Sequence, residues 1–105
     1  MPPSSLSHAG TAVLQAVAQG YQHGFDIIRI SGLPSGTVYP ALRRLEDAGY
    51  LTSRWEEALV AQDEKRPPRK YYEVTKLGQS ALADAVARYR LLGRPRPSRL
   101  RTSRA

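Results

Sequence analysis

The densest run of side chains able to act on another molecule is 35–51, SGTVYPALRRLEDAGYL. Ser35, Thr37 and Tyr39 carry hydroxyls, Arg43 and Arg44 carry guanidiniums, and no acid intervenes before Glu46 and Asp47. Wound at about 100° per residue, the segment places Val38, Leu42 and Leu45 on one apolar stripe, with Ala41 at its edge. Gly36, Pro40, Arg43 and Asp47 then point the opposite way, flanked by Thr37, Tyr39 and Arg44. That outward face is small and rich in donors to phosphate oxygens, and Gly36 lets the backbone approach a surface closely. With Ser35 as N-cap, Pro40 falls at the edge of the first turn, where its missing N–H costs least. A helix that presents such residues at its positive N-terminal end suits a nucleic-acid groove. The competing account is a plain solvated face, with Arg43 and Arg44 paired to Glu46 or Asp47 one turn away.

The neighbouring elements must hold this helix in place. Leu6, Gly10, Val13, Leu14 and Val17 recur at helical spacing between Leu6 and Gln19, with Ser5 or Ser7 as cap and Gly20 as stop. His23 to Ile30 predicts a second, short helix bearing Phe25, Ile27, Ile28 and Ile30, and SGLPSG punctuates the turn after it. The helix from Ser35 ends at Gly49, a natural left-handed C-cap. Leu51–Glu56 and Arg69–Thr75 alternate as two strands. Between them, AQDEK and Arg66-Pro67-Pro68 predict an extended arm. Thr75 caps a last helix reaching about Leu92, after which Gly93, Pro95 and Pro97 end the order.

The expected fold class is therefore mainly α with a small β hairpin, a winged helix-turn-helix. Its three-helix core gathers Val13, Val17, Phe25, Ile28, Val38, Leu42 and Leu45, and a two-stranded wing packs on its open side through Leu51 and Val74. The division expected is 1–75 for the DNA-binding domain, 76–92 for a C-terminal dimerisation helix and 93–105 for a basic tail.

Composition narrows the function. A chain of 105 residues, 41% of them hydrophobic, suffices for one small domain with a modest core. Its sixteen Lys and Arg against nine Asp and Glu give a net charge of +7. RPRPSRLRTSRA, at 94–105, holds five of those arginines and no acid, leaving eleven basic and nine acidic residues in 1–93. A basic tail on a near-neutral body suggests a polyanionic partner, the plain alternative being a solvated end that aids solubility. With no cysteine there is no disulfide framework, thiolate metal site or cysteine nucleophile. His8 and His23 stand alone, so no metal site is expected. No phosphate loop, metalloprotease pattern or nucleophile elbow occurs, so no catalytic residue and no cofactor are expected. No apolar run approaches the roughly 20 residues that cross a bilayer, and MPPSSLSHAG has no signal-peptide character. Cytoplasmic location is the default expectation.

GTVYPALRRLEDAGYLTSRWEE followed by RPPRKYYEVTKLGQSAL resembles the PadR-like family of bacterial transcriptional regulators, named after the phenolic-acid decarboxylase repressor. The likeness spans His8 to Tyr89. It implies a winged-helix homodimer that represses transcription by binding double-stranded operator DNA. On that resemblance the recognition helix is Ser35 to Ala48, with Ser35, Thr37, Tyr39 and Pro40 facing DNA and Arg43 alongside. The wing cations are Lys65, Arg66, Arg69 and Lys70. The chain departs from many members in its short second helix and in its single C-terminal helix, as in the short-chain subgroup.

A last helix with Ala81, Ala85 and Val86 permits close helix–helix approach, and Leu82, Tyr89 and Leu92 offer larger contacts. Paired about a twofold with Leu6, Val13 and Leu14 of the first helix, it would form an isologous interface. Recognition helices would then reach major grooves about 34 Å apart on a pseudo-palindrome. Trp55 is expected as a core or interface anchor, or else with Tyr89 as the wall of a pocket for an aromatic or cationic effector. Two other function classes fit the charge, an RNA- or ribosome-associated basic protein and a winged-helix protein-interaction module.

Overall fold

The computed structural model describes residues 6–93, with side chains as far as Tyr89. Helix α1 (His8–Ala18) begins where Ser7 Oγ accepts the Gly10 N–H at 2.9 Å, which makes Ser7 the cap; Ser5 lies outside the described residues. Helix α2 (Gly24–Ser31) follows His23 as N-cap and closes on Gly32, whose N–H reaches the Ile28 carbonyl at 3.0 Å. Helix α3 (Ser35–Asp47) has Pro34, not Ser35, as its N-cap. Its end is set by Gly49 at φ 84°, a left-handed conformation that costs glycine little, and the Tyr50 N–H folds back onto the Leu45 carbonyl at 2.9 Å.

Strand β1 (Leu51–Trp55) pairs antiparallel with β2 (Lys70–Val74), in a register running from Leu51 opposite Val74 to Trp55 opposite Lys70. The hairpin is also tied to the α1–α2 loop, because the Tyr72 N–H donates to the Gln22 carbonyl at 2.8 Å and His23 bridges Tyr71. Between the strands the expected extended arm is instead a short helix, α4 (Ala58–Asp63). ALVAQD contains no glycine or proline, and the two prolines act only downstream of it. Lys65 takes φ 58° to close the turn, letting the Arg66 N–H reach the Ala61 carbonyl at 3.1 Å. Helix α5 (Lys76–Gly93) completes the fold, capped as expected by Thr75, whose Oγ1 accepts the Gly78 N–H at 2.9 Å.

Val13, Leu14, Ile27, Val38 and Leu42 are fully buried, with Leu45, Tyr50, Leu51 and Tyr72 close behind. Each large aliphatic so sealed contributes about 1.5–3 kcal/mol. Phe25, expected in the core, and Trp55, expected as a core or interface anchor, are absent from this cluster. Phe25 is 67% exposed, because α2 turns Gly24 and Ile27 inward and leaves position 25 on its outer side. Trp55 is 65% exposed, because β1 runs past the edge of the core and its last residue projects beyond it. Conversely, Val13 and Leu14 are closed within the chain's own core, and Ala85 is 1% exposed, so these three offer little to a partner.

The wing is held by charge. Arg66 grips Glu56 through two bonds, Nη1 to Oε1 at 2.6 Å and Nη2 to Oε2 at 2.8 Å. Glu56 also accepts from the Arg69 N–H at 3.2 Å and from the Tyr71 hydroxyl at 3.4 Å. Hydrogen bonding from Arg66, aided by the Arg69 N–H, takes the Glu56 carboxyl from its ordinary 4.5 down to about 2. A carboxylate with a depressed folded value stabilises the protein fully above its unfolded value and loses that contribution as pH falls towards the folded one. The melting temperature is therefore expected to drop as pH falls from about 4.5 to 2. Glu56→Gln should flatten that drop and lower the melting temperature at pH 7 by a few degrees, as read by circular dichroism across a pH series.

Helix α5 meets the hairpin at Gly78, where an added Cβ would collide with the Tyr50 carbonyl and come 2.9 Å from Val74 Cγ1. A backbone carbonyl cannot rotate aside, so Gly78→Ala is expected to destabilise by about 3 kcal/mol, the upper end of overpacking costs. Urea unfolding should show it as a lowered midpoint with an unchanged slope.

Candidate nucleic-acid interface

The outward face of α3 is built as its spacing suggests. Val38, Ala41, Leu42 and Leu45 are buried against α1 and α2, leaving Ser35, Gly36, Tyr39, Pro40, Arg43 and Arg44 exposed and Thr37 half-buried. Among the described residues neither Arg43 nor Arg44 forms an ion pair, so the solvated-face account, with both paired along the helix, is not what is seen. Glu46 instead accepts from Ser53 Oγ at 2.5 Å and lies 3.7 Å from Lys70 Nζ, so that acid is turned towards the hairpin. Both guanidiniums are left available to an anion.

With Pro34 as the cap, Pro40 is the sixth helical residue and lies beyond the first turn. A proline there removes one i to i−4 bond and typically costs about 3 kcal/mol. Tyr39 is half-exposed and does two things. Its ring covers Gly24, so closely that a Cβ on Gly24 would come 2.5 Å from Tyr39 Cε1, which fixes the spacing of α2 against α3. Its other side remains open to a partner.

The wing cations divide. Lys65 is exposed, and Arg69 and Lys70 are half-buried beside α3. Arg66 is not available to phosphate: its side chain is 18% exposed, clasped by Glu56 and by Glu64 at 3.0 Å. The sequence assignment of Arg66 as a gripping cation is therefore corrected, for a partner ten residues away is invisible to local pairing rules. Glu56, Glu57, Asp63 and Glu64 make the wing tip acidic, so the usable positive charge lies at the wing's base. There Arg69, Lys70, Tyr39, Trp55, Phe25 and Tyr72 line a cleft of about 270 Å³ between hairpin and recognition helix. The Lys70 ammonium sits 5.8 Å from the Trp55 ring centre and 5.7 Å from that of Tyr72.

Trp55 and Tyr89 do not share a pocket. Tyr89 lines a separate cavity of about 360 Å³ between α1 and α5, with His8, Thr11, Ala12, Gln15 and Val86. Its hydroxyl donates to the Leu6 carbonyl at 2.9 Å and its ring meets His8 edge-on at 5.0 Å. His8, Thr11 and Gln15 are not brought together by the sequence reading; their i, i+3 and i+7 spacing on one side of α1 is the signal that could have found them. Leu82 and Val86 are half-buried on the same helix as Tyr89, and the Leu92 side chain and 94–105 lie outside the described residues. Among the described residues no helix is long and apolar enough to cross a membrane, and no group of three or more side chains could hold a metal ion.

Residues 13–84 match the family described as the transcriptional regulator PadR-like family. A PadR family transcriptional regulator from Eggerthella lenta is 30% identical, with a TM-score of 0.61 over 79% of this chain and 75% of its own. A PadR-like transcription factor from Bacteroides fragilis is 28% identical, with a TM-score of 0.67 over 80% of this chain and 82% of its own. A regulator from Bordetella bronchiseptica, whose DNA binding is regulated by 6-hydroxynicotinic acid, is 20% identical and shares the fold, with a TM-score of 0.65 over 83% of this chain and 61% of its own. No curated protein matches. With its family match covering most of the described residues, this chain belongs to the PadR-like family of transcriptional regulators: it is a winged-helix DNA-binding regulator, not an enzyme.

Proposed function

We propose that the chain works in the cytoplasm as a homodimeric repressor, with α3 of each subunit entering the major groove of a pseudo-palindromic operator. The observation that carries this reading is that Arg43 and Arg44, on the exposed face of α3 beside Arg69 and Lys70, have no ion-pair partner among the described residues. Ser35, Thr37 and Tyr39 would orient the helix through phosphate oxygens, while Arg69 and Lys70 hold the adjacent strand. In this reading 6–75 is the DNA-binding unit and α5 the dimerisation element, with Leu6, Leu82, Val86 and Tyr89 at the contact. The basic segment 94–105 would add affinity that does not depend on sequence.

An effector fits the same frame. DNA binding by the Bordetella bronchiseptica protein is regulated by 6-hydroxynicotinic acid, and a ligand in the 360 Å³ cavity between α1 and α5 would act on the proposed dimer contact. Trp55, in the other cleft, would take no part in that response.

Fluorescence anisotropy on the chain's own upstream promoter fragment, against a scrambled duplex of equal length at two salt concentrations, tests the core of the proposal. A preference of about a thousandfold is expected. Equal, salt-sensitive binding to both would leave only charge being read and favour the RNA-associated or protein-interaction classes. Arg43→Ala should weaken promoter binding by about tenfold or more, whereas Arg66→Ala should act chiefly on stability. Val86→Arg should yield monomers in sedimentation and weaken promoter binding by about a hundredfold, the low end of what bivalent engagement adds.

A further inference from the structure

We propose that the Gly36 carbonyl, released from the α3 hydrogen-bond ladder by Pro40, reads one base pair by accepting a hydrogen bond from a cytosine or adenine amine in the major groove. The inference rests on the reading of α3 as the DNA-contacting helix and adds a group that can only accept to a face of hydroxyls and guanidiniums.

Residue 40 would ordinarily give its N–H to the carbonyl of residue 36. Proline has none, and its ring crowds that carbonyl and tilts it away from the helix axis. Position 40 is interior to a helix of 13 residues, so end effects do not excuse the loss. Pro40 is exposed, and no burial offsets the missing bond. Gly36, the other partner in that missing bond, is exposed too, with nothing within 4 Å of where its Cβ would stand. No tight packing explains a glycine there. The two residue types that helices tolerate least thus bracket one peptide oxygen, four residues apart on the outward face. Departures from local preference without a structural return mark functional positions.

The chemistry of the partner follows from the atom. A carbonyl oxygen only accepts, so a phosphate oxygen would repel it. In the major groove the available donors are the N4 amine of cytosine and the N6 amine of adenine. Tyr39, Arg43 and Arg44 share with Pro40 an open concavity of about 340 Å³, so the proline that frees the carbonyl sits among the side chains that would contact DNA. Those donors supply affinity, and the Gly36 oxygen supplies discrimination at a single position.

The test compares three full-length proteins, by selection from a randomised duplex library followed by anisotropy on single-base variants of the selected site. They are the native chain, Pro40→Ala, and a semisynthetic chain with lactic acid at position 40, which places an ester where proline stood. Alanine restores the N–H and should strengthen the helix, so folding is not at risk. The ester has neither ring nor N–H. Pro40→Ala is expected to lose about tenfold in preference at one cytosine- or adenine-containing pair, with the other positions unchanged, and the ester chain to keep it. A uniform loss at all positions, an unchanged profile, or an ester chain that behaves like alanine would overturn the assignment and leave the ring or the helix shape as the cause. A native chain with no sequence preference would instead remove the underlying DNA reading, an outcome recognisable before either variant is measured.

Discussion

Thr75 is the joint through which α3, the hairpin and α5 are aligned. Its Oγ1 donates to the Gly49 carbonyl at 2.7 Å and accepts the Gly78 N–H, while its own N–H reaches the Tyr50 carbonyl at 3.1 Å. One residue therefore links the end of α3, the start of β1, the end of β2 and the first turn of α5. The joint closes only because Gly78 has no Cβ to press on the Tyr50 carbonyl. Its consequence is a fixed geometry between the recognition helix and the helix proposed to join two subunits. For a dimer on two half-sites, that geometry sets the spacing the protein can read.

The hairpin is locked at its other end by different means. There the Glu56–Arg66 clasp replaces apolar packing, since the strand end lies beyond the core and leaves Trp55 exposed. A paired guanidinium with 18% exposure still costs desolvation, but four hydrogen bonds donated to one carboxylate return it. The result is a wing whose tip is acidic and whose base is basic. Such a wing repels phosphate at its end and attracts it near α3, so the backbone would run close to the recognition helix and away from the α4 tip.

Much of this was legible in the sequence, wherever a periodic signal carried it. The apolar stripe of α3, the alternation of both strands and the caps at Thr75 and Gly49 all express local rules, and the structure follows them. The failures share a cause in distance along the chain. Local rules give Arg66 to DNA because its partner is ten residues away, and give Phe25 to the core and Trp55 to a core or interface because apolar character alone does not say where an element ends relative to the core. Helix α4 was hidden by the two prolines that follow it, which restrict only their own neighbours. Trp55 and Tyr89 were paired by chemistry, but tertiary packing puts them in separate cavities.

The recognition helix gathers the fold's local sacrifices on one side. Its inner face is ordinary core, and its outer face carries a glycine, a proline and two unpaired arginines. None of these stabilises an isolated chain, and the Pro40 defect alone rivals the contribution of a buried aliphatic side chain. The fold tolerates them because α3 is held from three directions: Leu42 and Leu45 against the core, Tyr39 over Gly24, and Glu46 through Ser53 and Lys70 to the hairpin. Stability is thus supplied by tertiary contacts that reach α3 from its inner face and flanks. The outer face is left free to be chosen for what it recognises.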